Sequence, residues 1–288
     1  MKKPSKKSII IGSVIAVIAA ALIVGIVLTS GYEGKESINA VMKDAVLHEG
    51  DKIRLFGMEV NPGLVSGGVM VICILIFAVI LRLFVIPRFK LIPGKFQSVI
   101  EKAVEYFDGL AVSSNREHSG FIGAYVFSAG TYIFLGTLFE LIGVPVQTVL
   151  GTTVCLPAPL ADINGAISIG CFSYLVILFG GLILRGPKGM LLALKDFSLP
   201  ISMSFRLFGA LLSGALVTEL IYYYTALSFV LPVIVGVLFT LLHAVIQAYV
   251  LTMLTSMFFG EVTERPEHIV ERSVADAAEA ATVAGKNN

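Results

Sequence analysis

Arg206 stands about ten residues into Phe197–Tyr224, an apolar run long enough to cross a bilayer. An arginine at bilayer depth costs roughly 2.5–3.5 kcal/mol on insertion scales, and its guanidinium stays protonated at any physiological pH. A cost of that kind calls for a function or a counter-charge. Glu219 lies 13 residues beyond Arg206, about 220° around a helix at 100° per residue, so it points to the opposite side and is not an intrahelical partner. Around Arg206 the side chains are small: Ser202, Gly209, Ala210, Ser213 and Gly214. Gly209–Ser213 and Ala210–Gly214 are small-xxx-small pairs that let another helix approach closely. Small residues alone fit ordinary packing within the chain. Beside an arginine they favour an external helix that carries an acid.

In the final apolar run, Thr240, His243 and Gln247 stand at i, i+3 and i+7, one polar stripe on an otherwise apolar helix. If the last two runs form an antiparallel hairpin with Gln247 level with Arg206, paired positions sum to about 453. Glu219 and His243 sum to 462, a mismatch of roughly 13 Å along the axis, bridgeable by water but not by contact. A carboxylate, an imidazole and a glutamine at different heights suit a hydrated proton or ion route. Glu219 also lies one turn from the end of its run, where a group reaching surface water is the simpler reading. Glu140, at the end of the third run, would line the same outward-facing vestibule if the spans pack as neighbours. Asp162, in Pro159-Leu-Ala-Asp-Ile-Asn164, opens the fourth run, and a helix N-cap accounts for it as well as ion handling does. His48, His118 and His268 stand in polar segments, where a solvated histidine is the default.

The elements that must carry these residues are membrane helices. The chain is 56% hydrophobic and 14% charged, and apolar runs of about 18 residues or more read as spans. There are six: Ile9–Thr29, Leu64–Ile86, Phe121–Leu141, Gly165–Leu184, Phe197–Tyr224 and Phe229–Phe259. The expected fold is all-α and polytopic. The first run is either a retained anchor, which its length favours, or a cleaved signal; cleavage leaves the later orientations unchanged. Residues 31–63 form an external polar segment, 64–260 the membrane domain and 261–288 a polar tail. Lys and Arg cluster before the first span and after the second and fourth, while Ile142–Leu160 has neither, so the positive-inside rule puts both termini in the cytoplasm. After Pro93-Gly94, the stripe Phe96, Val99, Ile100, Ala103, Val104 and Phe107 predicts an amphipathic surface helix. The last two spans, of 28 and 31 residues, would extend roughly 42 and 47 Å. A hydrocarbon core of about 30 Å then requires tilt, bending or a partner, and a tilted pair joined by a tight turn near Thr225–Ser228 is the economical arrangement.

Several functions are excluded. The net charge of +1 and the lack of basic clusters interleaved with aromatics give no case for nucleic acid. Cys73, Cys155 and Cys171 are scattered, without ligand spacing, so no metal or cofactor is implied. There is no HExxH, glycine-rich phosphate loop or GxSxG elbow, and a membrane hydrolase lacks a nucleophile with its base. A stand-alone secondary transporter is the alternative that intramembrane polar groups raise, but internal repeats and broken-helix pairs are missing.

Four segments, Pro93–Glu101, Pro159–Asn164, Ser204-Phe-Arg-Leu-Phe-Gly209 and Ile246–Thr255, occur in an order and at spacings specific to one family. From about Leu64 to Gly260 the chain resembles the a subunit of the membrane sector of F-type ATP synthases. The resemblance implies a stator in a bacterial inner membrane, beside a ring of c subunits and held by the b-subunit peripheral stalk. Arg206 would face the essential carboxylate of each passing c subunit, and Gly209, Ala210, Ser213 and Gly214 would pack against the ring. Two aqueous half-channels, drawing on Gln247, Glu219, His243, Glu140, Asp162 and Asn164, would carry H⁺ or Na⁺. The chain departs from the family pattern at several points. Ala210 stands where the family commonly has Asn, and Ala215 and Thr240 occupy its interacting acid/histidine positions. Glu219 and His243 are each displaced by about one turn. Leu192 stands where a glutamate is usual, with Asp196 one turn later, and the N-terminal span is extra.

Overall fold

The computed structural model describes residues 52–55, 57–114, 119–149, 151, 153–223 and 231–263, with scattered helical positions between 13 and 27. Most of the first span, the external segment up to residue 51, His48, His118, His268, the turn near Thr225–Ser228 and the tail beyond 263 lie outside the described residues.

Five helices are long and apolar enough to cross a membrane, among the described residues: Pro62–Arg88, Ser119–Ile142, Ile163–Arg185, Leu199–Tyr223 and Leu231–Thr263. They match the five later runs of the sequence to within a few residues at each end, so the chain is a polytopic all-α membrane protein. The first, α1 (Pro62–Ile80), starts with proline at a position that needs no N–H, and the Asn61 side chain accepts from the Gly63 amide at 2.9 Å. It continues through a π-helical turn at Leu81–Val85 and ends in a 3-10 turn at Ile86–Arg88, where Pro87 cannot extend the ladder.

Helix α2 (Lys95–Ser114) is the expected amphipathic helix. The Gln97 side chain ties its start to the preceding turn, accepting from the Lys90 amide at 3.1 Å and donating to the Lys90 carbonyl at 2.8 Å. Its predicted stripe is only partly used within this chain: Phe96, Val99 and Val104 stay exposed, while Phe107 and Ala111 pack. Only the C-terminal part of α2 meets other helices, which leaves the apolar residues at its start uncovered. The remaining helices are α3 (Ser119–Leu138), α4 (Ile163–Arg185), α5 (Pro187–Lys195), α6 (Leu199–Tyr223) and α7 (Leu231–Thr263). Two short antiparallel hairpins not expected from the sequence, β1 (Ile53–Leu55) with β2 (Met58–Val60) and β3 (Pro145–Gln147) with β4 (Thr153–Cys155), occupy polar connections.

The chain divides into two compact units, to each of which all five spanning helices contribute a segment. One comprises Met1–Val71, Phe134–Gly165 and Leu207–Ile246. Here the start of α1 lies against the loop before α4: a Cβ on Gly63 would come within 2.5 Å of Asp162 Cβ. The Val149 amide donates to the Lys52 carbonyl at 2.8 Å, joining the two hairpin regions.

The other unit comprises Ile72–Ile133, Ala166–Arg206 and Gln247–Asn288. Its core gathers Ala111, Ile122, Val126, Ile177, Ala193, Phe259 and Val262. Glycines set the spacing, because bulk hydrophobicity does not drive helices together in lipid and close approach must. Gly180 abuts Phe259, Gly181 abuts Val262 and the Gly189 backbone, and Gly260 abuts the Ser114 carbonyl. Hydroxyls add interhelical bonds: Ser256 Oγ donates to the Leu110 carbonyl at 2.9 Å, Tyr174 to the Ala193 carbonyl at 3.1 Å, and Tyr125 and Ser173 pair at 2.7 Å. Gly186, at φ 72°, reverses the chain so that α5 returns along α4.

Gly181→Ala places its methyl against backbone that cannot move cheaply, whereas Gly68 has nothing within 4 Å of an added Cβ. Thermal unfolding of the purified chain should show Gly181→Ala lowering Tm by roughly 3–10 °C, the size expected of overpacking. Gly68→Ala should leave Tm unchanged or raised. Equal effects at the two positions would contradict this account of the packing.

Candidate functional site

Helix α6 has two unlike faces. Arg206, Gly209 and Ser213 fall within about 60° of one another on the helical wheel, and all three are exposed, as are Ser202 and Phe205. A Cβ added to Gly209 would meet nothing within 4 Å, and Ser213 Oγ turns back onto the Ala210 carbonyl at 2.8 Å. Arg206 forms no ion pair or hydrogen bond among the described residues. Residues one turn away on the same face, Ser202 and Ala210, carry no charge. The face is thus cationic, shallow and open to a neighbour.

The other face of α6 carries Leu211, Ala215 and Tyr222, about 140–180° round from Arg206, with Thr218 beside them. Together with α7 they line a cavity of about 290 Å³, closed further by Glu140 and Leu141. Its polar groups are Glu140, Thr218, Tyr222, Thr240 and His243. A carboxyl, an imidazole, two hydroxyls and a phenol around a space of this size are enough to hold several hydrogen-bonded waters. Gly214 belongs to this face: its added Cβ would lie 3.7 Å from His243 Nδ1. That separates it from Gly209 and Ser213, with which the sequence grouped it, while Ala210 lies half-buried between the two faces. The His243 ring is steadied edge-on by Phe239, with centroids 5.6 Å apart. Glu140 sits on the 3-10 turn Phe139–Ile142 that ends the α3 span, half-buried.

Glu219 does not line this cavity, although its neighbour Thr218 does. Of the three acids expected along the ion route, Glu140, Glu219 and Asp162, the structure brings Glu140 to the cavity that holds His243. Ala215 and Thr240 both line it too. Thr218 and Tyr222 escaped the sequence reading. The wheel that turned Glu219 away from Arg206 also aligns Leu211, Ala215, Thr218 and Tyr222 as a stripe, and that stripe was the available signal.

Gln247 continues the α7 stripe of Thr240 and His243. It is 6% exposed, and its Oε1 is buried without a hydrogen-bond partner among the described residues. An unpaired buried carbonyl oxygen costs about 1–3 kcal/mol. Few buried polar atoms are left so, and each invites a functional explanation. Asp162 is the N-cap of α4: Oδ1 accepts from the Asn164 amide at 3.0 Å and from Asn164 Nδ2 at 3.2 Å. Asp162 and Asn164 therefore bond to each other and hold the helix start. Among the described residues no group of three His, Cys, Asp or Glu could hold a metal ion.

The architecture and these polar groups define a polytopic helical membrane protein with a charged residue on one face of a span and a cavity lined by polar groups on the other. The family model described as ATP synthase A chain matches residues 68–260. The chain belongs to this family and is a membrane-sector subunit of an F-type ATP synthase. It is similar to ATP synthase subunit a of Histophilus somni (strain 2336), with 26% identity over 212 residues, covering 62% of this chain and 79% of the relative. The subunit a of Glaesserella parasuis serovar 5 (strain SH0165) is 25% identical over 211 residues, with the same coverage.

If the cavity holds water, cysteines facing it must react from the aqueous phase. In a chain whose three native cysteines are replaced, Thr218→Cys should label with a membrane-impermeant thiol reagent at least about tenfold faster than Val245→Cys, an exposed mid-span position outside the cavity lining, because thiolate forms only where water reaches. Similar rates at the two positions would mean a dry cavity.

Proposed function

We propose that this chain is the ion-translocating stator of its ATP synthase. In this reading Arg206 meets, one after another, the mid-membrane carboxylates of a ring of c subunits. The observation that carries it is an arginine without a partner among the described residues, on an open face floored by Gly209 and Ser213. A permanent positive charge in a low-dielectric span holds an approaching carboxyl in its ionised form. It thereby favours release of the ion the carboxylate carried, and it repels cations that would otherwise leak straight across.

Ions reach that contact through water, and the cavity bounded by Glu140 and His243 serves as one half-channel. Glu140 accepts the ion at the mouth, and the hydroxyls of Thr218 and Thr240 with His243 pass it inward. This arrangement fills the place of the acid and histidine that the family carries where Ala215 and Thr240 stand here. Gln247, with its unpaired oxygen, supplies an acceptor for a donor brought by the moving partner or its water. Asp162 and Asn164 shape the entrance by fixing the start of α4, and Glu219 is accessory. The b-subunit stalk holds the chain against rotation. The chain lies in the bacterial inner membrane, as its family resemblance implies, and by the positive-inside rule its C-terminus is in the cytoplasm. Residues 64–260 form the working domain.

Arg206→Ala should leave the complex assembled and reduce ion-driven ATP synthesis in membrane vesicles by about a hundredfold or more, as removal of a preorganised charge does. Retained coupled synthesis would sink the proposal. Glu140→Gln should slow passive ion flux through the membrane sector by about tenfold or more, and Glu219→Gln should slow it much less. The reverse order would move the route to Glu219.

A further inference from the structure

Several polar side chains of the first compact unit are fixed by a hydrogen bond. Thr218 Oγ1 donates to the Gly214 carbonyl at 3.0 Å, Ser66 Oγ donates to the Gly63 carbonyl at 2.9 Å, and Asp162 accepts from the Asn164 amide. His243 is held differently. Half-buried on α7, it forms no hydrogen bond or ion pair among the described residues. In a working histidine, the hydrogen bond made by one ring nitrogen usually decides the tautomer and fixes the ring. Here something else must orient the imidazole.

Two contacts do so, and both come from residues that line the cavity with it. Phe239 lies one turn earlier on α7, and side chains at i and i+4 of a helix share a face and lean toward its N-terminus. The two rings stand 5.6 Å apart between centroids with their planes at 67°, the edge-to-face arrangement that aromatic pairs prefer. From α6, Gly214 leaves the ring its room. A Cβ added there would lie 3.7 Å from Nδ1 and 3.9 Å from Cε1, so even a methyl group would touch the imidazole.

We propose that Phe239 is a positioning residue for His243: its ring, with the space left at Gly214, orients the imidazole and leaves both nitrogens free to exchange protons with the cavity. A neutral imidazole offers one lone pair and one N–H. It takes a proton on the lone pair, becomes an imidazolium with two donors, and hands one proton on from either nitrogen. Ring charge and proton count then return to the start. A hydrogen bond to the protein would hold one nitrogen and leave a single working site. A ring contact orients the imidazole and uses neither. The proposal rests on the cavity being an ion route that includes His243.

Two measurements separate the proposal from that reading. The first is the ring order parameter of His243, read by NMR in the full chain in bilayers, with His48, His118 and His268 replaced by Gln and the remaining histidine isotope-labelled. It should be about 0.85 with Phe239 present, fall below about 0.6 in Phe239→Leu, and stay high in Phe239→Tyr, which keeps the ring. The second is passive proton flux in membrane vesicles that carry the complex. His243→Ala should lower it about tenfold or more. Phe239→Leu should lower it about two- to tenfold, the population that an edge-to-face pair holds in place, and Phe239→Tyr should stay near native. Unchanged ring order in Phe239→Leu, lost order in Phe239→Tyr, or a flux that depends on His243 but not on the Phe239 ring would each overturn the proposal. A flux indifferent to His243→Ala would defeat the ion-route reading and the proposed role with it, even where ring order follows Phe239.

Discussion

The constraint behind this structure is that a guanidinium in a membrane span can neither lose its proton nor be left indefinitely without a negative partner. The chain answers with no carboxylate of its own at the sites on α6 that Arg206 can reach. Positions three and four residues away hold Ser202, Met203, Gly209 and Ala210. In the proposed mechanism a partner comes to the arginine, and small residues on that face are what a close-packed approach requires. Polar groups that need water are then kept to the other side of the same helix, where Leu211, Ala215, Thr218 and Tyr222 border the cavity. On this one helix Arg206 and the cavity-lining residues Leu211, Ala215 and Tyr222 stand about 140–180° apart.

Packing elsewhere serves that separation. Glycine contacts in the core around Ile177 and Phe259 bring α4, α5 and α7 together without bulky side chains. Hydroxyl bonds such as Ser256 to Leu110 and Tyr125 to Ser173 add direction to contacts that apolar surface alone would leave free to slide. Asp162, which the sequence allowed as either a cap or an ion ligand, bonds to the Asn164 amide and side chain and so secures the start of α4. Both of these bonds go to Asp162 Oδ1.

Much of this was legible in the residues. Apolar runs located the five described spans because hydropathy and length are nearly sufficient in a bilayer. The wheel turned Glu219 away from the arginine, and the i, i+3, i+7 spacing marked Thr240, His243 and Gln247 as one stripe. What escaped depended on contacts between distant segments. Whether Glu140 or Glu219 shares a cavity with His243 is set by how the end of α3 meets α6 and α7, which no local pattern encodes. Gly214 read as part of the arginine's surface because small-xxx-small spacing is blind to an 80° rotation. The apolar stripe of α2 marked an amphipathic surface helix, and Phe96 and Val99 at its start are exposed; a stripe reports an apolar environment without saying what supplies it.

Two features of the site oppose stability: an arginine without a counter-charge among the described residues, and a buried Gln247 oxygen without a donor. Replacing either with a well-packed apolar side chain would remove a desolvation cost. Their persistence makes sense if the proposed contact is temporary. An acid built into α6 at position 202 or 210 would pair permanently with Arg206, and a donor lodged beside Gln247 would satisfy it for good. Either change would compete with each arriving carboxylate for the same charge and raise the barrier to the next step. A stator in the proposed mechanism must bind every passing carboxylate well enough to discharge it and weakly enough to let it go. Leaving its own polar groups unsatisfied between encounters keeps that balance: the partner meets a site that needs it, and no internal group holds its place.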